Sequence, residues 1–119
     1  MREKDSLVQK IVEGLQEKKA KNIVVADMTG IEEATFRYFV ICQGNSTTQV
    51  NSIADNMIDY VREEAGVRPY AYDGFKNSQW IAVDYGDIIV HVFLPEVREF
   101  YKIEQLWADA KLTEIPDLD

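Results

Sequence analysis

Few residues in this chain of 119 have the type and spacing to do chemistry. The clearest group is Gly44-Asn45-Ser46, lying between a strand-like stretch and a helical one. A Gly-Ser turn at a helix N-terminus offers unpaired backbone N–H groups to a phosphate, which is how nucleotidyltransferase-type folds hold a triphosphate. Those enzymes also place paired carboxylates, usually Asp-x-Asp, nearby to hold magnesium. No Asp-x-Asp or Asp-x-Glu occurs in the helical stretch after Ser46. Asp55 and Asp59 are one helical turn apart, a spacing that more often marks a solvated face. Asp84 and Asp87 flank Tyr85-Gly86 and could pair at a hairpin tip, although acids are also common turn residues. The single histidine, His91, gives any Ser-His or Cys-His arrangement only one possible base. The lone Cys42 rules out an intramolecular disulfide and a cysteine zinc cage. With no P-loop or dinucleotide fingerprint either, the parts of an enzyme are missing. No catalytic residue, metal or cofactor is expected.

Charge narrows the partners. Thirteen basic against twenty-one acidic residues give a net charge of −8. Bare phosphate backbone repels such a chain, because its binders cluster Lys and Arg. Direct DNA binding is therefore not expected, and work near nucleic acid would go through a basic protein. The longest apolar run, Tyr38 to Cys42, is far short of the roughly 20 residues a membrane helix needs. MREKDSLVQK lacks the apolar stretch of a secretory signal, and its early acids argue against a transit peptide. A soluble, unexported, cytoplasmic protein is the expectation.

The elements that must position these residues are legible from periodicity. Ser6 with Gln9 reads as a capping box opening a first helix, whose apolar stripe is Leu7, Val8, Ile11, Val12 and Leu15. Residues 22–28 and 37–43 read as strands rich in β-branched and aromatic side chains. After Gly44, Ser46 and Gln49 form a second capping box, and Val50, Ile53, Ala54, Met57, Ile58 and Val61 recur at helical spacing. Gly66 and Pro69 stop that helix. A short strand over 69–73 and two strong ones over 79–84 and 87–94 follow. Pro95 opens a last helical segment, with Val97, Phe100 and Tyr101 on one stripe and Ile103, Leu106, Trp107 and Ala110 on another. The acidic tail TEIPDLD is expected to fray. The order α-β-β-α-β-β-β-α fits an α+β domain, a mixed sheet carrying flanking helices. With no repeat, linker or composition shift, residues 1–119 form a single domain with its core over about 5–110 and an acidic tail over 111–119. Its expected radius of gyration is roughly 14 Å.

The two strong strands are the most informative feature. With Tyr85-Gly86 as a two-residue turn, Asp84 faces Asp87, Ala82 faces Ile89 and Trp80 faces His91. Alternation then puts Ile81, Val83, Ile88, Val90 and Val92 on an aliphatic side suited to packing under helices. The opposite side mixes Trp80, His91, Phe93 and the two acids. Two readings of that side stand: a protein-binding surface with an aromatic anchor and polar rim, or a surface that the C-terminal helix covers. His91 likewise reads as a satisfied sheet histidine more readily than as a base.

The run WIAVDYGDIIVHVF (Trp80 to Phe93), followed by Arg98, Phe100-Tyr101 and IEQLW (Ile103 to Trp107), closely resembles the ribosomal silencing factor family, RsfS, also called Iojap-related. ADMTG (Ala26 to Gly30), FVICQGNST (Phe39 to Thr47) and SIAD (Ser52 to Asp55) extend the resemblance over roughly residues 5–110. It implies a nucleotidyltransferase-like fold without catalytic carboxylates, in agreement with the missing Asp-x-Asp. It also implies a non-enzymatic repressor of translation that acts when nutrients are short. The implied partner is large-subunit ribosomal protein number fourteen, on the face that meets the small subunit, so that the bound factor blocks subunit joining. A homodimer is the implied free form. Carried onto matching positions, the family's partner-binding surface has Trp80 as central anchor, ringed by Asp84, Tyr85, Asp87 and His91. Arg98, Tyr101 and Leu106 would join it from the C-terminal segment. Ile103 stands where the family more often has Leu, a conservative departure.

Overall fold

The computed structural model describes residues 3–103 and 110–118. Helix α1 (Glu3–Glu17) leads into β1 (Lys21–Asp27) and β2 (Tyr38–Gln43), and the long α2 (Thr47–Ala65) follows. Then come β3 (Ala71–Asp73), β4 (Trp80–Asp84), β5 (Ile88–Phe93), the short α3 (Pro95–Tyr101) and β6 (Lys111–Ile115). The six strands form one mixed sheet in the order β3-β4-β5-β2-β1-β6. β2 and β5 run parallel at its centre, and the other neighbours are antiparallel. The α+β class and the single domain read from the sequence are what is found, and the radius of gyration is 13.1 Å.

Helix α2 starts and stops where its sequence says. Ser46 Oγ accepts the Gln49 N–H at 3.1 Å, and Gln49 Oε1 reaches back to the Asn45 N–H at 2.7 Å. This reciprocal capping satisfies the Gln49 N–H, which a helix start leaves unpaired, and the N–H of the residue before the cap. At the other end Gly66 adopts φ 68, the left-handed conformation that glycine enters without steric cost, and its N–H bonds the Arg62 carbonyl. Val50, Ile53, Ala54, Met57 and Val61 are fully buried against the sheet. They meet Val40, Cys42, Ile81, Val83, Ile88, Val90 and Val92, the side read as aliphatic, together with Ile11 and Leu15 of α1. That is the main core. Burial near zero at so many branched side chains leaves little room, so truncating one costs about 2–5 kcal/mol.

Three expectations need correction. The helix of residues 3–17 passes straight through Ser6, so no capping box forms there; uncapped helical propensity extends upstream of it. The tail does not fray: Lys111–Ile115 is a strand, β6, paired antiparallel with β1 from Asp27↔Lys111 to Ile23↔Ile115. Its acids had masked an alternating stretch, Leu-Thr-Glu-Ile, whose β-branched Thr113 and Ile115 suit a strand once an open edge of sheet is there to pair with. The third concerns the hairpin. Its turn is Gly86-Asp87, closed by the Tyr85 N–H on the Ile88 carbonyl at 2.9 Å, so Asp84 pairs with Ile89, Ala82 with His91 and Trp80 with Phe93. Glycine, at φ 92, fits the first position of such a turn better than tyrosine does. Because the shift is two residues, the side chains keep their assigned faces. The second stripe of the C-terminal segment, including Leu106 and Trp107, lies outside the described residues.

Candidate partner-binding surface

The face of the sheet turned away from α1 and α2 has its own smaller core. Ala26, Met28, Phe39, Ile41, Ile89 and Phe93 are buried there, flanked by the partly buried Phe36, Trp80, Ala82, Val97 and Ile103. Trp80 opens β4 at the end of the sheet where α3 begins. A tight loop sets it there: Gly74, at φ 103, lies so close that any Cβ would collide with the Trp80 carbonyl oxygen. The Ser78 N–H closes the loop on the Gly74 carbonyl, and Asn51 of α2 holds the Ser78 hydroxyl at 3.0 Å.

Around Trp80 the side chains stack. Its ring lies 4.9 Å from Phe93 and 5.0 Å from Tyr101, centroid to centroid. His91 stacks on Phe39 at 4.6 Å and 24°, and its Nδ1 accepts the Trp80 indole N–H at 2.7 Å. The proton of the neutral ring therefore sits on Nε2. Burial pushes the His91 pKa down to about 4, so the ring is uncharged at neutral pH. It is a satisfied sheet histidine. From α3, Tyr101 is half exposed, and Phe100 beside it is exposed to 79%. Of the stripe read through Val97, Phe100 and Tyr101, Val97 packs partly buried against the smaller core, while α3 fully buries none of its residues. Instead the rings of Phe100 and Tyr101 meet edge to face at 5.0 Å on the surface, and Tyr101 in turn lies against Trp80. Tyr101 of α3 thus covers one flank of Trp80, and the two form an aromatic shelf with Phe100.

The remaining expected site residues separate. Asp84 lies on the same face as Trp80 but at the far end of β4, where its Oδ1 accepts the Gly86 N–H at 2.7 Å and shapes the turn. Asp87 sits in that turn, partly exposed, and its backbone carbonyl receives the Arg37 and Tyr38 N–H groups. Tyr85 points the other way: it is 5% exposed within the main core, its hydroxyl against Met57 Sδ at 3.4 Å, and burial pushes its pKa up. Strand parity puts Tyr85 on the helix side, so it cannot ring a surface on the Trp80 side. Arg98 turns inward from α3 and donates to the Asn22 carbonyl and to Gln43 Oε1. Leu106 lies outside the described residues. Sequence reasoning missed Phe39, hidden in an apolar run, and the exposure of Phe100, which a seven-residue helix too short to bury a stripe would have signalled.

Ser46 is engaged as a helix cap, and among the described residues no three His, Cys, Asp or Glu side chains gather as a metal cluster. No helix among them is long and apolar enough to cross a membrane. Fold and surface together define a small α+β domain whose distinctive feature is an aromatic shelf at one end of the sheet face turned away from α1 and α2. The family model described as "Ribosomal silencing factor during starvation" matches residues 1–119. A ribosomal silencing factor of Bacillus subtilis is 40% identical over 99 residues, covering 83% of this chain and 82% of that protein. A crystal structure of a Chromobacterium violaceum protein superposes with a TM-score of 0.84 at 33% identity, covering 90% of this chain and 88% of that one. A mouse protein named for mitochondrial assembly of the ribosomal large subunit is 31% identical over 99 residues, covering 82% of this chain and 43% of its own length. The chain belongs to the ribosomal silencing factor family, RsfS. A role in silencing ribosomes, regulatory in kind, goes with that membership.

Proposed function

We propose that this protein binds the large ribosomal subunit through its protein number fourteen and sterically blocks joining of the small subunit, repressing translation under nutrient limitation. The observation that carries the reading is the aromatic shelf, in which the exposed Phe100 and Tyr101 stand beside the partly buried Trp80 on a sheet backing. Protein interfaces concentrate their energy in such aromatic anchors. The anchor is Trp80, Tyr101 extends it, and Asp84 and Asp87 supply acids at the far end of the same face. His91 acts from behind Trp80. Leu106 follows α3 in the chain and joins the contact. Tyr85 is left out of the set.

Charge supports the same partner. A net charge of −8 favours encounter with a basic ribosomal protein and disfavours bare RNA or DNA. No chemistry is required: a standard interface of about 1,600 Å² holds the factor in place, and the bulk of the domain excludes the incoming subunit. The protein is accordingly read as a cytoplasmic, non-enzymatic factor. When free, the shelf is also what a second copy would cover, so a homodimer should dissociate as the ribosomal partner binds.

Sedimentation tests this directly. Purified small and large subunits are mixed at associating magnesium with increasing amounts of the protein. The expected result is collapse of the joined peak into free subunits, with the protein travelling on the large one. An unchanged peak, with the protein left at the top of the gradient, overturns the proposal.

A further inference from the structure

Strand β1 carries an irregularity where it meets α3. Its pairing with β2 breaks register between Lys21 and Val24, and Asn22 within the break adopts φ 51. A bulged residue turns its N–H and C=O out of the ladder, where each needs another partner. Here the Asn22 N–H donates to Asp117 Oδ1 at 2.9 Å, beyond the end of β6. The Asn22 carbonyl accepts from Arg98 Nη1 at 2.7 Å, and the same nitrogen donates to Gln43 Oε1 at 3.2 Å. Two distant stretches, α3 and the chain after β6, therefore meet on one backbone residue, and β2 joins them through Gln43 and Arg98.

The consequence falls on α3. Seven residues make a helix too short to hold itself, and none of its side chains is fully buried. Its place is fixed by a few contacts, and among the described residues Arg98 supplies polar ones to β1 and β2. Tyr101 lies three residues on, on the same helical side, and it is Tyr101 that closes on Trp80. We infer that Asn22 and Gln43 are positioning residues that act through Arg98: they hold α3 so that Tyr101 and Trp80 form one shelf, and they set the strength of large-subunit binding without touching the partner. Arg98, expected from the sequence to be a contact, belongs to this junction. The inference rests on the proposed function for its binding arm only.

The left-handed backbone of Asn22 supplies the controlled comparison. Glycine keeps that conformation and the carbonyl with it, whereas a β-branched valine is driven out of it. Affinity for purified large subunits and the Trp80 indole N–H resonance of the free protein are measured for Asn22→Gly, Asn22→Val and Gln43→Ala. Melting temperatures confirm that each variant is folded. Asn22→Gly should match wild type in both readouts. Asn22→Val and Gln43→Ala should weaken binding about five- to tenfold, the scale of one lost hydrogen bond, and should shift the Trp80 resonance before any partner is added. A folded Gln43→Ala protein with an unmoved resonance overturns the inference. So does a shifted resonance at wild-type affinity. If the wild-type protein does not bind large subunits, the proposed function fails, and the resonance alone decides whether the junction positions the shelf.

Discussion

The indole N–H of Trp80 ends on Nδ1 of His91, 2.7 Å away, so the aromatic that opens β4 is fixed from behind by a neutral histidine. Hot-spot residues work best when their rotamer is already set, since less side-chain freedom is lost on binding. Removing the anchor should be costly. Trp80→Ala is expected to weaken large-subunit binding by about 2 kcal/mol or more, roughly 30-fold. Binding assays on the folded variant decide it: wild-type affinity would remove Trp80 from the anchor role.

His91 also makes stability depend on pH. Its pKa is about 6.5 in an unfolded chain and is lowered to about 4 by burial among Phe39, Trp80 and Phe93. Between those values the unfolded state binds the extra proton, so the stability that neutral His91 provides is full above pH 6.5 and drains away as pH falls toward 4. The loss should reach about 3 kcal/mol near pH 4. Carboxylates titrate over part of the same window, and Glu13, held low mainly by its bond from the Tyr60 hydroxyl, is one of them. The comparison is therefore between wild type and His91→Gln. Urea unfolding at pH 7, 5.5 and 4 should show the wild type losing more stability than the variant, and parallel curves would refute the assignment.

The tail offers a direct test of what sequence patterning misses. A frayed tail could be removed without effect, whereas β6 is hydrogen-bonded along the length of β1 and carries the half-buried Ile115. Deleting residues 111–119 exposes the β1 edge and should lower the melting temperature by at least about 4 °C, the shift that 1 kcal/mol produces in a domain of this size. No change in a thermal melt would mean that the strand contributes nothing.

What was legible in the chain was whatever repeats locally. The caps and stripe of α2 and the two faces of the β4–β5 pair each depend on residues close in sequence. The two-residue error at the hairpin left the faces intact for that reason. The junctions were not legible, because they depend on partners far apart. Arg98 meets Asn22 across 76 positions and Asp117 meets Asn22 across 95. Nothing in the spacing of Lys21, Asn22 and Ile23 announces a bulge. Likewise β6 exists only because β1 offers it an edge.

Tyr85 separates resemblance from geometry most cleanly. It stands inside the run of residues that identifies the family, between two acids assigned to the partner surface, yet its ring lies in the main core among the residues of α2. Its hydroxyl makes a weak bond to a thioether, worth little in such a setting. Tyr85→Phe removes that bond and keeps the packing, so stability should change by less than about 1 kcal/mol. Affinity for the large subunit should stay within about twofold, because the hydroxyl faces Met57 and not the partner. Tyr85→Ala, by contrast, should destabilise the fold by about 3 kcal/mol or more. A Phe variant that folds normally but binds tenfold more weakly would mean that the hairpin rearranges to present Tyr85 on binding, and the surface would have to be redrawn around it.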